Sequence, residues 1–511
     1  MVAQFNLDTR SAGILLHPTS LPGPHGCGDL GPAAYRFVDW LASAGLRWWQ
    51  MLPIGPVGDD GAPYSSYSAF AGGFHLISLD ALVADGLLTP ADIRSSPPRL
   101  QSDKVNWPLT LRFREEALRL AFAAFDCDRA GAKLHREFER YCNSQTRLAD
   151  FARFCALRQQ FDGRPWTAWP DAIKSRQATA MRQACAQVAD EIRFQSFVQF
   201  IFDRQWKALQ TYAVERGVGL LGDIPIFVSL DSSDVWANPE LFQLDRDGRP
   251  KFMSGCPPDI FSKTGQLWGH PLYFWKEHQR TGFKWWIERF RRTLSQFQAA
   301  RIDHFLGFNR CWAVPGRDKT ALRGKWQPTP GRVLFSALEK ALKNPQIIAE
   351  DLGFVTPEAA ALRDDFGFPG MRILQNGFWD GARYDQPHNY PRNCVVYTGT
   401  HDNDTTAGWW KNVAKNRKRG KDGLTTRERA LRYLDCKPGE VTRRMVRAAL
   451  ASRANTTIVP MQDVLGLDNR ARMNVPATTE GNWSWRMKPD DLRPGDAKWL
   501  RGMVAAYQRC E

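Results

Sequence analysis

The sequence predicts an α/β fold, specifically a (β/α)8 barrel, from three observations. Short apolar segments of strand length recur along the chain, each ends in polar residues, and helix-like stretches separate them. This pattern is typical of parallel strands that are buried on both faces. Eight such segments match the eight strands of a TIM barrel, whose polar strand ends face the active side. In chain order the predicted strands span residues 13–17, 48–54, 219–228, 298–304, 346–352, 371–377, 394–400 and 457–464.

The uneven spacing of these strands locates two large insertions, after the second and the third strand. The first contains helical patterns, with apolar residues at 194, 197, 198, 201 and 202. The second combines turn sequences with many aromatic residues. Structureless loops of this length are uncommon in compact domains. We therefore expect one catalytic barrel domain over residues 1–511, with a mainly helical insertion at 80–205 and an aromatic-rich insertion at 229–290, both covering the C-terminal face of the barrel.

The overall composition is ordinary for a globular protein. Hydrophobic residues make up 43% and charged residues 24% of the 511 positions, which excludes a disordered or fibrous chain. No stretch approaches the ~18 consecutive apolar residues of a membrane span, and the first residues lack the pattern of an export signal. Ten cysteines are scattered without CxxC spacing, so we expect free thiols, no zinc site and a cytoplasmic location.

The net charge raises nucleic acid as a possible partner. Basic residues exceed acidic residues by 15, and such an excess is common among proteins that bind nucleic acids. However, much of the basic charge is dispersed over predicted helices, and no helix-turn-helix, zinc-finger or RNP signature accompanies it. The densest run, residues 411–421, is interpreted as a solvated basic loop. We therefore expect no nucleic acid partner.

Four carboxylates lie at the ends of predicted strands. Asp303 follows Arg301 by two positions, so both side chains face the barrel interior, and a neighbouring guanidinium favours the ionised carboxylate that a nucleophile needs. Asp223, Glu350 and Asp402 end three other strands. Structural alternatives remain open for three of them: a buried ion pair with Arg301 for Asp303, an acid at a helix N-terminus for Glu350, and a structural acid for Asp223.

The clustering of these carboxylates indicates glycoside cleavage. Like charges at one barrel face repel one another, so function must demand their presence. In retaining enzymes one carboxylate attacks the anomeric carbon and a second, protonated one donates to the leaving oxygen, ~5–5.5 Å away. The 20 tryptophans could stack on sugar rings or fill a large core, and the count leaves both open. A metal site in residues 400–404 is disfavoured, because its ligands would be contiguous without EF-hand or HExxH spacing.

Three segments around these carboxylates closely resemble the catalytic segments of the amylomaltases, the 4-α-glucanotransferases of glycoside hydrolase family 77, which are relatives of the α-amylases. They are RIDH at 301–304, AEDLG at 349–353 and GTHDNDT at 399–405. Further segments agree in the same order, so the resemblance extends from residue 13 to about residue 487. These segments span residues 13–31, 63–72, 222–242, 257–273 and 471–486.

The resemblance implies a retaining, two-step transfer of an α-1,4-glucan segment to an acceptor glucan, without a cofactor. By matching position, Asp303 is expected to be the nucleophile, Glu350 the general acid and then the general base, and Asp402 the carboxylate that grips two sugar hydroxyls. The role of general acid requires a raised pKa for Glu350, which must hold its proton near neutral pH. The residues expected to bind substrate are Tyr64 beneath the reacting ring, Asp223, Arg301, His401 and Asn474 around it, and Asp259, Gln266 and Trp268 in a loop over the acceptor region.

The chain departs from the usual family pattern at a few positions away from the carboxylates. Ala62 replaces a serine, Gly73 and Phe74 stand where AGNP is common, His270 replaces the asparagine of WGNP, and Cys311 replaces an aromatic or aliphatic residue. None of these positions carries one of the carboxylates. We therefore expect them to affect acceptor binding and chain-length preference but not the class of reaction.

The carboxylates do not distinguish transfer from hydrolysis, because water or a sugar 4-hydroxyl can attack a glycosyl-enzyme. A cover that excludes water would favour transfer, and the second insertion offers aromatic residues for it, although half of them could instead form a small core. An α-amylase-type hydrolase is the main alternative, and a glycan-binding protein without catalysis is disfavoured by the intact carboxylates. The candidate cover residues are Phe252, Phe261, Trp268, Tyr273 and Trp275.

Overall fold

Eight parallel strands close into a barrel in a computed structural model that describes residues 5–94, 100, 102–127, 131–258 and 262–509. The barrel strands are β1 (Ser11–Leu15), β2 (Trp48–Gln50), β3 (Gly219–Ile224), β6 (Ala299–Ile302), β9 (Ile347–Ala349), β10 (Gly370–Ile373), β11 (Cys394–Tyr397) and β12 (Thr456–Pro460). Around the barrel their order is β1-β12-β11-β10-β9-β6-β3-β2, so the first and last strands pair and close it.

All eight strands that the sequence predicts are present, and the predicted barrel is confirmed. Nearly every residue of these strands is buried, as expected when helices cover the outside of a parallel sheet. All eight strands end two to four residues earlier than predicted, because the following residues leave the sheet in loops or short helices. β3, for example, ends at Ile224 because the next residue is Pro225, whose nitrogen cannot donate to a neighbouring strand.

Helices pack around the barrel and form most of the first insertion. The described part of the chain contains nineteen α-helices, and none of them is long and apolar enough to cross a membrane. They are α1 (Pro32–Ser43), α2 (Leu79–Ala84), α3 (Pro90–Arg94), α4 (Trp107–Asp126), α5 (Gly131–Ser144), α6 (Thr146–Gln160), α7 (Asp171–Lys174), α8 (Ala178–Gln187), α9 (Ala189–Glu215), α10 (Ser233–Ala237), α11 (Trp275–Arg280), α12 (Lys284–Gln296), α13 (Gly331–Ala341), α14 (Pro357–Asp365), α15 (Thr406–Lys415), α16 (Thr426–Leu434), α17 (Val441–Ala451), α18 (Met461–Val464) and α19 (Pro494–Ala506).

A second, antiparallel sheet lies beside the barrel and was not predicted from the sequence. Its strands are β4 (Phe252–Cys256), β5 (Gln266–Pro271), β7 (Arg310–Pro315) and β8 (Lys325–Pro328), in the order β5-β4-β7-β8. The first two belong to the second insertion, and the other two follow the barrel strand β6. Glycine, proline or polar residues interrupt three of these short segments, and none of the four shows the period-two alternation of polar and apolar residues that indicates a strand. The sheet forms a wall above the end of β6.

The tryptophans serve mainly in the core. Thirteen of the 20 are buried, and Trp48 and Trp49 lie inside the barrel wall, where each indole nitrogen finds an oxygen acceptor. In the second insertion, Tyr273 is also buried and packs against Trp285 and Trp286. The high tryptophan content therefore reflects a large aromatic core more than a surface for stacking on sugars.

Candidate active site

The predicted carboxylates come together at the C-terminal mouth of the barrel. Asp223 lies near the end of β3, Asp303 directly follows β6, Glu350 directly follows β9, and Asp402 lies in the loop after β11. Carboxyl ends of parallel barrel strands meet at one face, which is where catalytic groups of this fold are found. The prediction of a shared location for these side chains follows directly from the barrel topology.

A buried arginine links two of the carboxylates. Arg301 donates to Asp223 Oδ2 at 2.5 Å and to Asp303 Oδ1 at 2.7 Å, and β3 and β6 pair so that Asp223 stands directly opposite Arg301. Burial acts to lower the pKa of Arg301, but the charges of Asp223 and Asp303 outweigh it and raise that pKa. Burial has the opposite effect on Asp223 and raises its pKa, and the positive charge of Arg301 opposes that rise. Each partner is therefore costly to bury without the other.

Tyr64 and His401 extend this network on one side of the cleft. The Tyr64 hydroxyl donates to Asp223 Oδ2 at 2.7 Å, and His401 Nε2 lies 3.0 Å from the same hydroxyl. Burial raises the pKa of Tyr64 and lowers the pKa of His401, so the phenol stays protonated and the imidazole stays neutral. Because the phenol proton points to Asp223, the geometry fits a His401 tautomer that carries its proton on Nε2. The two rings stack at 5.4 Å and 14°.

Glu350 is held next to Asp303 by the backbone. The peptide nitrogen of His304, the residue after Asp303, donates to Glu350 Oε2 at 2.5 Å. His304 adopts the left-handed conformation, with φ 51° and ψ 51°, which turns this nitrogen toward the next strand end. Burial, reinforced by the negative charge of Asp303, raises the pKa of Glu350 to about 8. A carboxyl group in this environment holds its proton near neutral pH, as a general acid must.

Asp402 is oriented by a separate loop that precedes α19. Asn474 Nδ2 donates to Asp402 Oδ1 at 2.6 Å, and the backbone nitrogen of Asn474 donates to the carbonyl of His401 at 3.1 Å. Arg472 donates to the Asp402 carbonyl and to Asp404 Oδ1, each at 2.5 Å. Both carboxylate oxygens of Asp404 thus accept from protein side chains, Oδ1 from Arg472 and Asn469 and Oδ2 from Asn412. Within the described ranges, no group of three His, Cys, Asp or Glu side chains could hold a metal ion.

The antiparallel sheet brings two further predicted residues to the cleft. Gln266 and Trp268 lie on β5, where the Trp268 indole donates to Gln266 Oε1 at 3.3 Å. The Trp268 ring meets the imidazole of His304 edge-on at 4.8 Å. This wall therefore stands on the Glu350 side of the site. The predicted residue Asp259 and the cover candidate Phe261 lie outside the described residues.

Three residues of this site were missed in the sequence analysis. His304 supplies the backbone donor for Glu350, Arg472 braces the Asp402 loop, and the Trp483 ring lies 5.9 Å from Tyr64. Two sequence signals could have indicated the first two of these residues: His304 directly follows Asp303, and Arg472 lies two positions before Asn474. Nothing in the sequence indicates the contact between Trp483 and Tyr64, since 419 positions separate them and only the fold unites them.

The chain is similar to one family of known proteins along nearly its whole length. A family model described as 4-alpha-glucanotransferase matches residues 16–492. The chain is 44% identical to a 4-alpha-glucanotransferase of Synechocystis over 98% of this chain and 97% of that protein, and 42% identical to one of Thermus thermophilus over 98% and 99%. Its structure superposes on the amylomaltase of Streptococcus agalactiae in complex with acarbose with a TM-score of 0.92, at 36% identity, covering 98% of this chain and 99% of the other. The chain belongs to the 4-alpha-glucanotransferase family of enzymes.

Proposed function

We propose that the chain is a retaining 4-α-glucanotransferase that moves an α-1,4-glucan segment from a donor glucan to the 4-hydroxyl of an acceptor glucan or glucose. The observation that carries the proposal is the placement of Glu350 beside Asp303. Its carboxyl group is hydrogen-bonded to the residue that follows Asp303, and burial raises its pKa to about 8. Asp303, in contrast, faces the positive charge of Arg301 at 2.7 Å. Two neighbouring carboxyl groups in opposite environments suit one acid and one nucleophile.

In the first step Asp303 attacks the anomeric carbon of the donor sugar and forms a β-linked ester. The bond between that carbon and the glucosidic oxygen breaks, and Glu350 gives its proton to the departing oxygen. Arg301 supports this step because its hydrogen bond to Asp303 orients the attacking carboxylate and because it remains paired with Asp223 afterwards. Glu350 is left as a carboxylate.

In the second step the acceptor enters and Glu350 acts as the base. It takes the proton from the acceptor 4-hydroxyl while that oxygen attacks the anomeric carbon, and the ester bond to Asp303 breaks. The product has the original α configuration, and both carboxyl groups return to their starting states. No cofactor takes part in either step.

The remaining polar side chains suit the grip on the reacting ring. Asp402 Oδ1 accepts from Asn474, and Oδ2, which lies 3.4 Å from His401 Nε2 on a side chain that is 41% exposed, can also accept from a sugar hydroxyl. Asp223 has one oxygen, Oδ1, without a hydrogen-bond partner among the described residues, but its side chain is fully buried, so it supports the grip through Arg301 and Tyr64. Tyr64 and His401 present stacked rings beneath this region.

The insertions supply the walls that favour transfer over hydrolysis. We assign residues 229–290, with β5 and Trp268, to the wall on the acceptor side, and residues 80–205 to the helical flank of the cleft. Transfer exceeds hydrolysis when an acceptor site binds sugar and excludes water. Since Tyr273 is buried in a hydrophobic core that it shares with barrel strands, Trp268 and Gln266 are the residues of this insertion that suit contact with the acceptor.

Maltotriose separates transfer from hydrolysis in one assay. A transferase converts it to glucose and a ladder of longer maltooligosaccharides, whereas a hydrolase gives only glucose and maltose. We expect the ladder from the wild type and its loss in Asp303→Asn, which removes the attacking carboxylate. Asp247→Asn, the same change at an exposed surface position, is the matched control and should leave the ladder intact. Wild-type products no longer than the substrate would overturn the proposal.

A further inference from the structure

Almost half of the net positive charge of the chain is concentrated in one short segment. Between residues 411 and 432, nine lysines and arginines accompany only two acidic residues, an excess of 7 out of the 15 for the whole chain. These residues form the second half of α15, the loop that follows it and most of α16, and we call them the basic segment. Like charges held this close repel one another, so the arrangement favours an anionic partner.

The basic segment lies at the rim of the barrel mouth. Asn412 donates from Nδ2 to Asp404 Oδ2 at 2.8 Å, and Asp404 follows Asp402 by two positions, at most about 7 Å along the chain. Further on, the backbone nitrogen of Lys421 donates to Asp380 Oδ2 at 3.1 Å, in the loop after β10. The C-terminal ends of β10 and β11 both face the mouth. The segment therefore joins two loops that surround the site.

The loop of the basic segment has a defined fold. Arg419 pairs with Glu428 at 3.1 Å, and Arg429 pairs with Asp422 at 2.7 Å. Thr425 and Glu428 form a capping box at the start of α16. Both acidic residues of the segment are thus bound to arginines of the same segment. They brace the loop and are not available to neutralise its other cations.

Five cations of the basic segment are left over. All five are exposed, and no ion pair or side-chain hydrogen bond joins them to another described residue. Beside them stands Trp379, whose side chain is 46% exposed, between Phe378 and Asp380, which both accept hydrogen bonds from the segment. An aromatic face next to free cations suits a sugar that carries an anionic group. The five cations are Lys415, Arg417, Lys418, Lys421 and Arg432.

We propose that the basic segment binds phosphate monoesters on the glucan, so that the enzyme prefers α-glucans that carry such groups. The inference rests on the proposed transferase function and names a substrate class for it. A phosphate monoester carries a charge of about −1.5 to −2 at neutral pH and offers three strong acceptor oxygens, which lysine and arginine bind well. A neutral glucan offers no such group.

Continuity with the cleft favours a glucan as the occupant. The segment is hydrogen-bonded to the loop that carries Asp402, so a glucan chain that leaves the cleft on this side passes the free cations. Nucleic acids and anionic lipids present phosphates of similar charge, but neither is drawn to the mouth of a glucan site by any other contact there. The experiment below includes both of them as competitors.

A dextrin that carries phosphate monoesters, and the same dextrin after phosphatase treatment, form a pair of substrates with equal chain lengths. With glucose as acceptor, we expect the wild type to show a KM about threefold to tenfold lower for the phosphorylated dextrin, as one or two charge-assisted contacts at an exposed site predict. In about 0.5 M salt this preference should shrink, because exposed charges are screened.

A triple variant tests whether the basic segment carries the preference. We expect Arg417→Gln, Lys418→Gln and Lys421→Gln together to bring the ratio of the two KM values close to one. The matched control removes three exposed cations of the same types near the starts of β9 and β12, at the opposite end of the barrel: Lys340→Gln, Lys343→Gln and Arg453→Gln. The control should keep the ratio of the wild type.

Retention in gels that contain either dextrin is a second readout, which does not depend on turnover. Phosphorylated dextrin should slow the wild type and the control more than the triple variant. Equal KM values for the two dextrins in the wild type, or the same preference in the triple variant, would overturn the proposal. Nucleic acid or anionic vesicles that displace the phosphorylated dextrin at equal phosphate concentration would also overturn it. A wild type that makes no ladder from maltotriose would instead overturn the proposed function itself.

Discussion

Glu350 shows how the environment of one half-buried side chain serves the reaction at a cost in stability. Its native pKa of about 8 lies above the ordinary value of 4.5, so the native state binds the proton more tightly than the unfolded chain does. Stability therefore falls as pH rises from about 4.5 to about 8 and stays reduced above that range. Glutamine cannot ionise and avoids this penalty. We expect Glu350→Gln to lose transfer activity yet to unfold at a higher temperature than wild type at pH 8.

Thermal unfolding at two pH values checks this expectation. The advantage of Glu350→Gln over wild type should be larger at pH 8 than at pH 4.5, where the wild-type carboxyl is protonated in the native state. Glu339→Gln, at an exposed position of α13, should show no such pH-dependent difference. A variant that is less stable than wild type at pH 8 would contradict the burial of a protonated Glu350.

Arg301 is the residue on which the other charges of the site depend. Its side chain is only 5% exposed, and that of Asp223 is fully buried. Removing one partner of a buried ion pair leaves an uncompensated charge and typically costs 3–5 kcal/mol. We expect Arg301→Met to lower the free energy of unfolding by about that amount in denaturant titrations at neutral pH.

A surface ion pair provides the comparison. Arg332 pairs with Asp365 with both side chains largely exposed, and such pairs contribute at most about 1 kcal/mol. Arg332→Met should therefore cost far less than Arg301→Met. Equal losses in the two variants would mean that the pairing of Arg301 with Asp223 and Asp303 is not what holds the mouth of the barrel together.

At the scale of elements, closure of the barrel requires a close approach between β1 and β2. A Cβ atom on Gly13 would lie 2.4 Å from both the Cβ and the carbonyl oxygen of Trp48. Because the obstruction includes backbone of the paired strand, a rotamer change cannot relieve it. We expect Gly13→Ala to destabilise the protein by at least about 1–3 kcal/mol, the range for overpacked cores.

Gly502 is a control for the same substitution. It lies in α19, and a Cβ there would meet no atom within 4 Å. Alanine favours the helix over glycine by about 0.5–1 kcal/mol, so Gly502→Ala should stabilise the protein slightly. A Gly13→Ala variant as stable as wild type would contradict the strand contact.

The elements also show what can be predicted from sequence. The eight barrel strands could be found because parallel strands buried on both faces leave continuous apolar runs such as CVVY and TTIVP. The strands of the second sheet could not, since segments such as KWQP combine exposed and half-buried positions without a regular period. A bulge in β5 at residues 268–270 depends on pairing between β4 and β5, which the sequence does not display.

The candidate active site also contains residues that could be predicted from sequence patterns and residues that could not. Asp223, Asp303, Glu350 and Asp402 were predictable as a group, because the topology of a barrel brings its strand ends to one face. Gln266, Trp268 and Asn474 could be proposed only from the family resemblance, since they lie on segments that long insertions or loops bring to the barrel. No periodic pattern specifies how such segments fold back over the strand ends.

The excess of 15 basic residues is a property of the whole surface. Much of the positive charge is paired, as in Arg419 with Glu428 and Arg429 with Asp422. We expect no retention of single- or double-stranded nucleic acid in a filter-binding assay at physiological salt. Binding that weakens steeply with added salt would contradict this expectation, because counterion release is the signature of phosphate contacts.

The central claim of the account is that Asp303 forms a covalent bond with the donor sugar while Glu350 moves the proton. A donor whose leaving group needs no proton, such as α-maltosyl fluoride, can react with Glu350→Gln in the first step, whereas the second step lacks its base. Mass spectrometry of the digested variant should find one maltosyl group on the peptide that contains Asp303. A maltosyl group on a different residue, or a β-configured product without any adduct, would contradict the account.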